Sequence, residues 1–94
     1  MFKVNEYFEG KVTSMAFEEA TGSATIGLMA KGDYEFGTEK KEIMHVVSGE
    51  MKIQLKGESN WSTYKTGEHF EVAGDSSFKL QIPVDTAYRC QYVD

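Results

Sequence analysis

The chain has 94 residues, with fifteen acidic against ten basic side chains for a net charge of −5, and a single Cys. That length accommodates one domain, 1–94, and area scaling lets a folded monomer hide only about 64% of the surface its unfolded chain exposes, a thin core that favours a homodimer. The basic residues stand singly apart from Lys40-Lys41, so no cationic stripe tracks a phosphate backbone and nucleic acid is excluded as a partner. No apolar run approaches the length that crosses a bilayer, and Met1-Phe2-Lys3 passes straight into the polar Asn5-Glu6; no membrane association and a cytoplasmic location are expected.

From Val12 onward the dominant pattern is period-two alternation, with no sustained three-and-four spacing, which makes the chain all-β. Strands are predicted at 11–17, 23–30, 34–38, 43–47, 50–55, 61–65, 69–72, 77–82 and 86–92. Met51-Lys52-Ile53-Gln54-Leu55-Lys56 and Phe78-Lys79-Leu80-Gln81-Ile82 alternate without a fault, so each buries one face and shows water the other. Glycines at 10, 22, 32, 49, 57, 67 and 74 punctuate the series at the interval of a sandwich or barrel. Ser48-Gly49 reads as the turn of a central hairpin, its glycine free to take positive φ. The run Glu39-Lys40-Lys41-Glu42 reads as a solvated turn, with Glu42 a possible exception. Cys90, between Tyr88 and Tyr92 at strand spacing, is expected to be a packed small residue and not a nucleophile.

Counting back from Gly49 brings out a resemblance. Phe36-x-Thr38-x-x-x-Glu42 ahead of that glycine resembles the first cupin motif, and Gly67, Phe70, Val72, Ala73-Gly74 and Phe78 resemble the second. The resemblance implies a cupin-type jelly-roll barrel. Cupins bind their metal through three histidines and a glutamate, and Phe36, Thr38 and Phe78 stand where those histidines would be. A transition metal needs three or four imidazole, thiolate or carboxylate ligands converging on one point, so no metal is expected. His45 and His69 fall outside the ligand positions and are expected to be structural or surface residues.

A metal-less cupin of this length resembles the pyrimidine/purine nucleoside phosphorylase family nearly end to end. The resemblance is carried by Asn5-Glu6-Tyr7-Phe8 with Gly10-Lys11-Val12, Thr21-Gly22 with Gly27 and Met29, and Gly32-x-Tyr34-x-Phe36-x-Thr38. It continues through Glu42-x-Met44-x-Val46-x-Ser48-Gly49, Trp61 with Tyr64 and Gly67, Phe70-x-Val72, Ser76-x-Phe78-x-Leu80-Gln81 and Tyr88-x-Cys90-x-Tyr92. Ala73 departs from it, since the family more usually has proline before the Gly74 turn, and a looser turn is expected. The resemblance implies phosphorolysis of purine and pyrimidine nucleosides to free base and pentose 1-phosphate, with phosphate as co-substrate and no cofactor.

Such a site must grip phosphate, offset positive charge developing on the sugar and hold the departing base. Glu42 is the candidate for the sugar side, and Thr38 offers a catalytic or binding hydroxyl. Tyr34, Phe36, Phe78 and Tyr88 are candidate ring faces for the base, and Gln81 can read a sugar or base edge. Lys11 and Arg89 are the candidate phosphate cations, although alternation points Arg89 outward. The alternative from another class is a non-catalytic metal-less cupin that binds a sugar, nucleoside or other small ligand.

Overall fold

The computed structural model describes residues 2–94. Among the described residues ten strands follow one another without a helix: β1 (Val4–Tyr7), β2 (Val12–Glu19), β3 (Gly22–Met29), β4 (Gly32–Thr38), β5 (Lys41–Ser48), β6 (Glu50–Leu55), β7 (Ser62–Lys65), β8 (His69–Val72), β9 (Ser76–Ile82) and β10 (Thr86–Val93). They form a six-stranded sheet in the order β1-β2-β3-β10-β5-β8 and a four-stranded sheet in the order β4-β9-β6-β7. Every pairing is antiparallel.

Alternation decides which face of each strand is buried. In β6, Met51 and Ile53 point inward, and in β9 Phe78, Leu80 and Ile82 do. They meet Val12, Met29, Met44, Val46, Phe70 and Val72 from the six-stranded sheet, and each fully buried side chain of this size contributes roughly 1.5–3 kcal/mol.

The Ser48-Gly49 turn differs from the expected hairpin. β5 pairs with β10 and β8, whereas β6 pairs with β7 and β9, so the turn carries the chain from one sheet to the other. Two sheets facing across a core each need neighbours of their own, and a strand leaving a tight corner is free to join the opposite one. Gly49 has φ 118°, and a Cβ there would lie 2.4 Å from Thr86 Oγ1. That close approach lets the corner sit against β10, where Glu50 N donates to Thr86 Oγ1 at 3.2 Å.

β1 lies outside the predicted strands. It is an edge strand paired only with β2, and most of its side chains are exposed, so it carries no hydrophobic alternation to read. Its turn is unusual: Phe8 and Glu9 have φ 52° and 59°, and Gly10 N donates to Tyr7 O at 3.1 Å. A left-handed non-glycine residue costs about 1–2 kcal/mol. The Phe8 ring offsets part of this by packing on Tyr34 and Phe36 at centroid distances of 5.1 and 5.5 Å, which ties the edge of one sheet to β4 of the other.

Candidate active site

A cavity of about 200 Å³ lies between the sheets. Its two walls differ in chemistry. The six-stranded sheet contributes Ser14 from β2, Thr25 from β3, Glu42 from β5 and Tyr88, Cys90 and Tyr92 from β10, a wall of hydroxyl, thiol and carboxyl groups. The four-stranded sheet contributes Phe36 and Phe78, direct partners across β4 and β9 with ring centroids 6.1 Å apart. Met29 and Met44 complete the apolar lining, and Tyr7 of β1 stands at its edge.

Strand register brings the polar groups together. Glu42 is directly opposite Tyr92, while Cys90 lies between Met44 on one side and Thr25 on the other. Ser14, Gly27 and Tyr88 occupy one row across β2, β3 and β10. With no side chain at Gly27, the Tyr88 phenol extends across it and comes within hydrogen-bonding reach of Ser14.

Glu42 is not part of the charged turn. Among the described residues its carboxylate has no cationic partner, and Cys90 Sγ donates to its Oε1 at 3.3 Å. Burial raises its pKa above the usual carboxylate value, opposed only in part by that thiol. Burial and the adjoining carboxylate push the Cys90 thiol well above its ordinary range, so Cys90 stays protonated and acts as a donor to Glu42, not as a nucleophile. Burial also pushes Tyr92 up to about 12 and raises Tyr88 further; both phenols remain neutral donors at neutral pH.

Of the residues singled out from sequence, Glu42, Phe36, Phe78 and Tyr88 line this cavity together. Thr38, Tyr34, Gln81, Lys11 and Arg89 do not, and the structure places each elsewhere. The Thr38 hydroxyl donates to Ala73 O at 2.6 Å and accepts from Ser76 N at 3.0 Å, so it latches the turn after β8, the turn expected to be loose at Ala73. Tyr34 is turned away and donates to Ala30 O at 2.6 Å. Gln81 is exposed on the outer face of β9, between the buried Leu80 and Ile82. Lys11 is exposed where β2 begins. Arg89 projects from the outer face of β10 and donates through Nε and Nη2 to Glu19 at 2.6 and 3.3 Å.

Sequence reasoning missed Tyr7, Ser14, Thr25, Met29, Met44, Cys90 and Tyr92 as lining. The signal for Cys90 and Tyr92 was present, since they share the phase of Tyr88 on β10. Ser14 carried none, because a lone serine in an alternating strand reads as an outward polar residue. His45 and His69 face each other on neighbouring strands with ring centroids 5.5 Å apart, and His45 Nε2 lies 2.7 Å from Gln91 Oε1. Neither lines the cavity.

The sequence pattern of the family described as pyrimidine/purine nucleoside phosphorylase matches residues 2–92. The chain belongs to this family. A pyrimidine/purine nucleoside phosphorylase of Pseudomonas putida is 60% identical over 94 residues, covering 100% of both chains. A crystal structure of a Vibrio parahaemolyticus protein of unknown function is 43% identical, covers 99% of both chains and superposes with a TM-score of 0.95. An RmlC-like cupin from Shewanella frigidimarina, 15% identical, superposes with a TM-score of 0.73 over 98% of this chain and 83% of its own. The last likeness places the fold among the cupins.

The donor set does not fit a cupin metal. Among the described residues no three His, Cys, Asp or Glu side chains converge where they would hold a metal ion. Of the positions that match the cupin ligands, Phe36 and Phe78 present carbon to the cavity, Thr38 is committed to the backbone, and Glu42 has only a protonated thiol beside it.

Proposed function

We propose that this cavity carries out phosphorolysis of nucleosides, with the pentose against the polar wall and the base against the ring wall. The observation that carries the reading is the division of one cavity into a hydroxyl-and-carboxyl face around Glu42 and an aromatic face of Phe36 and Phe78. A phosphate oxygen bonds to C1′ as the bond from C1′ to the base nitrogen breaks, and the electron pair leaves with the base, which takes up a proton. Positive charge grows on the sugar ring as that bond lengthens, and the Glu42 carboxylate is the group placed to offset it. Ring faces recognise any base by its flat surface, in keeping with use of both purines and pyrimidines.

The lining includes no Lys or Arg, so phosphate is received through hydrogen bonds from Ser14, Thr25, Tyr88 and Tyr92, with no ion pair inside the cavity. No resident cofactor or metal enters this scheme. Purified protein incubated with uridine or adenosine is expected to release free base only when phosphate is present, followed chromatographically. Base release that is absent, or indifferent to phosphate, would favour the ligand-binding alternative.

We further propose that the protein works in the cytoplasm as a homodimer of jelly-roll barrels. The outer face of the six-stranded sheet supports the dimer: Val4, Met15 and Ile26 are register neighbours across β1, β2 and β3, and Ile26 and Leu28 are 41% and 59% exposed. Apolar side chains gathered on one sheet face mark an interaction surface. Ile26→Glu is therefore expected to convert the dimer to monomer in sedimentation or light scattering. A parent protein that is monomeric at micromolar concentration, or a variant that stays dimeric, argues against this face.

A further inference from the structure

We propose that β1 and its turn form a strap across the cavity mouth, and that Tyr7 supplies a ring face to the nucleobase, closing the base subsite opposite Phe36. The proposal rests on the phosphorolysis reading of the same cavity. Tyr7 is the one cavity-lining residue that the edge strand contributes, and it remains 46% exposed. A ring that lines a cavity and is still half in water sits at the mouth. It meets Phe36 edge to face, with ring centroids 6.4 Å apart and planes at 83°, so a base enters between the two rings only as β1 moves outward. Phe36 in turn faces Phe78 at 6.1 Å, so Tyr7 continues the aromatic wall outward from the interior to solvent.

The strap is held in a manner suited to movement. β1 is bonded along one edge only. Its turn is in the left-handed region at two successive non-glycine residues, Phe8 and Glu9, and strain of this kind collects at ligand clamps where surrounding contacts override it. Here the overriding contact is the half-exposed Phe8 ring, hooked on Tyr34 and Phe36. Swinging β1 outward separates Tyr7 from Phe36 and widens the mouth; closing it brings the Tyr7 ring onto whatever lies against Phe36. Because a ring contributes its face and not a pattern of donors and acceptors, this contact favours purine and pyrimidine bases alike.

The test measures binding of free adenine and free uracil by NMR titration without phosphate, and KM and kcat for adenosine and uridine with phosphate, in the parent, Tyr7→Ala, Tyr7→Phe and Phe8→Gly. Tyr7→Ala is expected to weaken binding of both bases by about five- to 150-fold, the range of one base-aromatic stacking contact. KM should rise by a comparable factor and kcat by comparison should change little, while Tyr7→Phe stays within about threefold of the parent. Phe8→Gly relieves the left-handed turn and removes the hook, so it is expected to keep the fold and raise KM for both nucleosides. Tyr7→Ala that binds both bases as the parent does overturns the assignment, as does Tyr7→Phe that loses as much as Tyr7→Ala. If circular dichroism finds Tyr7→Ala unfolded, Phe8→Gly decides: unchanged KM overturns the strap. A parent that releases no base with phosphate defeats the phosphorolysis reading, and base binding then still judges Tyr7 by the same comparison.

Discussion

Glu42→Gln is expected to lower kcat for phosphate-dependent base release by roughly two to four orders of magnitude, while the circular dichroism spectrum stays that of the parent. The amide keeps the volume and the acceptor oxygen that meets Cys90 Sγ, and removes only the charge. If the carboxylate offsets charge on the sugar, the loss falls on kcat and kcat/KM together. The substitution should also stabilise the fold at neutral pH. Burial raises the folded-state pKa of Glu42 above 4.5, so between the unfolded and folded pKa values the native state holds more protons than the unfolded one and stability falls as pH rises. Above the folded pKa the penalty of burying the ionised carboxylate is complete. Tm of Glu42→Gln should therefore exceed that of the parent at pH 7, and the gap should close as pH falls through the raised folded-state pKa toward the unfolded value of about 4.5. Near-parental turnover would remove Glu42 from the chemistry, and a lower Tm at pH 7 would mean that a partner in the native protein stabilises its ionised form.

How much of the site could be read from sequence depended on whether function and strand phase coincide. Phe36, Phe78, Glu42 and Tyr88 all project inward by alternation and line one cavity; counting back from the Gly49 corner reached Phe36 and Glu42, the second cupin motif reached Phe78, and strand phase reached Tyr88. The same count from Gly49 also reached Thr38. It too is buried, but its hydroxyl is committed to Ala73 O and Ser76 N, a contact between residues far apart in sequence that periodicity cannot reveal. Gln81 stands outside the cavity for a simpler reason, since in an alternating strand it lies opposite in phase to Leu80 and Ile82. Arg89 was correctly turned outward, yet its partner Glu19 sits on a distant strand, and only the sheet order β1-β2-β3-β10 brings the two together. The corner at Ser48-Gly49 was legible as a turn, but nothing local tells a hairpin from a step between sheets. The choice is made by β9 and β10, which arrive later in the chain and claim β6 and β5 respectively.

Gly27→Ala is expected to be among the most damaging single changes in the protein, destabilising it by roughly 3 kcal/mol or more. A Cβ at position 27 would lie 2.0 Å from Thr13 O and 2.9 Å from Tyr88 Oη. The phenol can swing aside at some cost, but the carbonyl belongs to β2, which pairs with β3 along its whole length, and it cannot retreat without breaking that ladder. The row Ser14, Gly27, Tyr88 therefore works only with glycine at its centre, where the missing side chain leaves room for the phenol to cross toward Ser14. Tyr88→Phe separates the two consequences, because it removes the hydroxyl while leaving the backbone contact untouched. It should keep Tm within a few degrees of the parent and raise KM for phosphate, since one of the four hydroxyls offered to the anion is lost. Gly27→Ala with the parental Tm would mean that β2 and β3 can part at this row, and Tyr88→Phe with parental KM for phosphate would remove that phenol from the anion's partners. A Gly27→Ala protein made in the Tyr88→Phe background should regain little stability, for the obstruction that counts is the one with the strand.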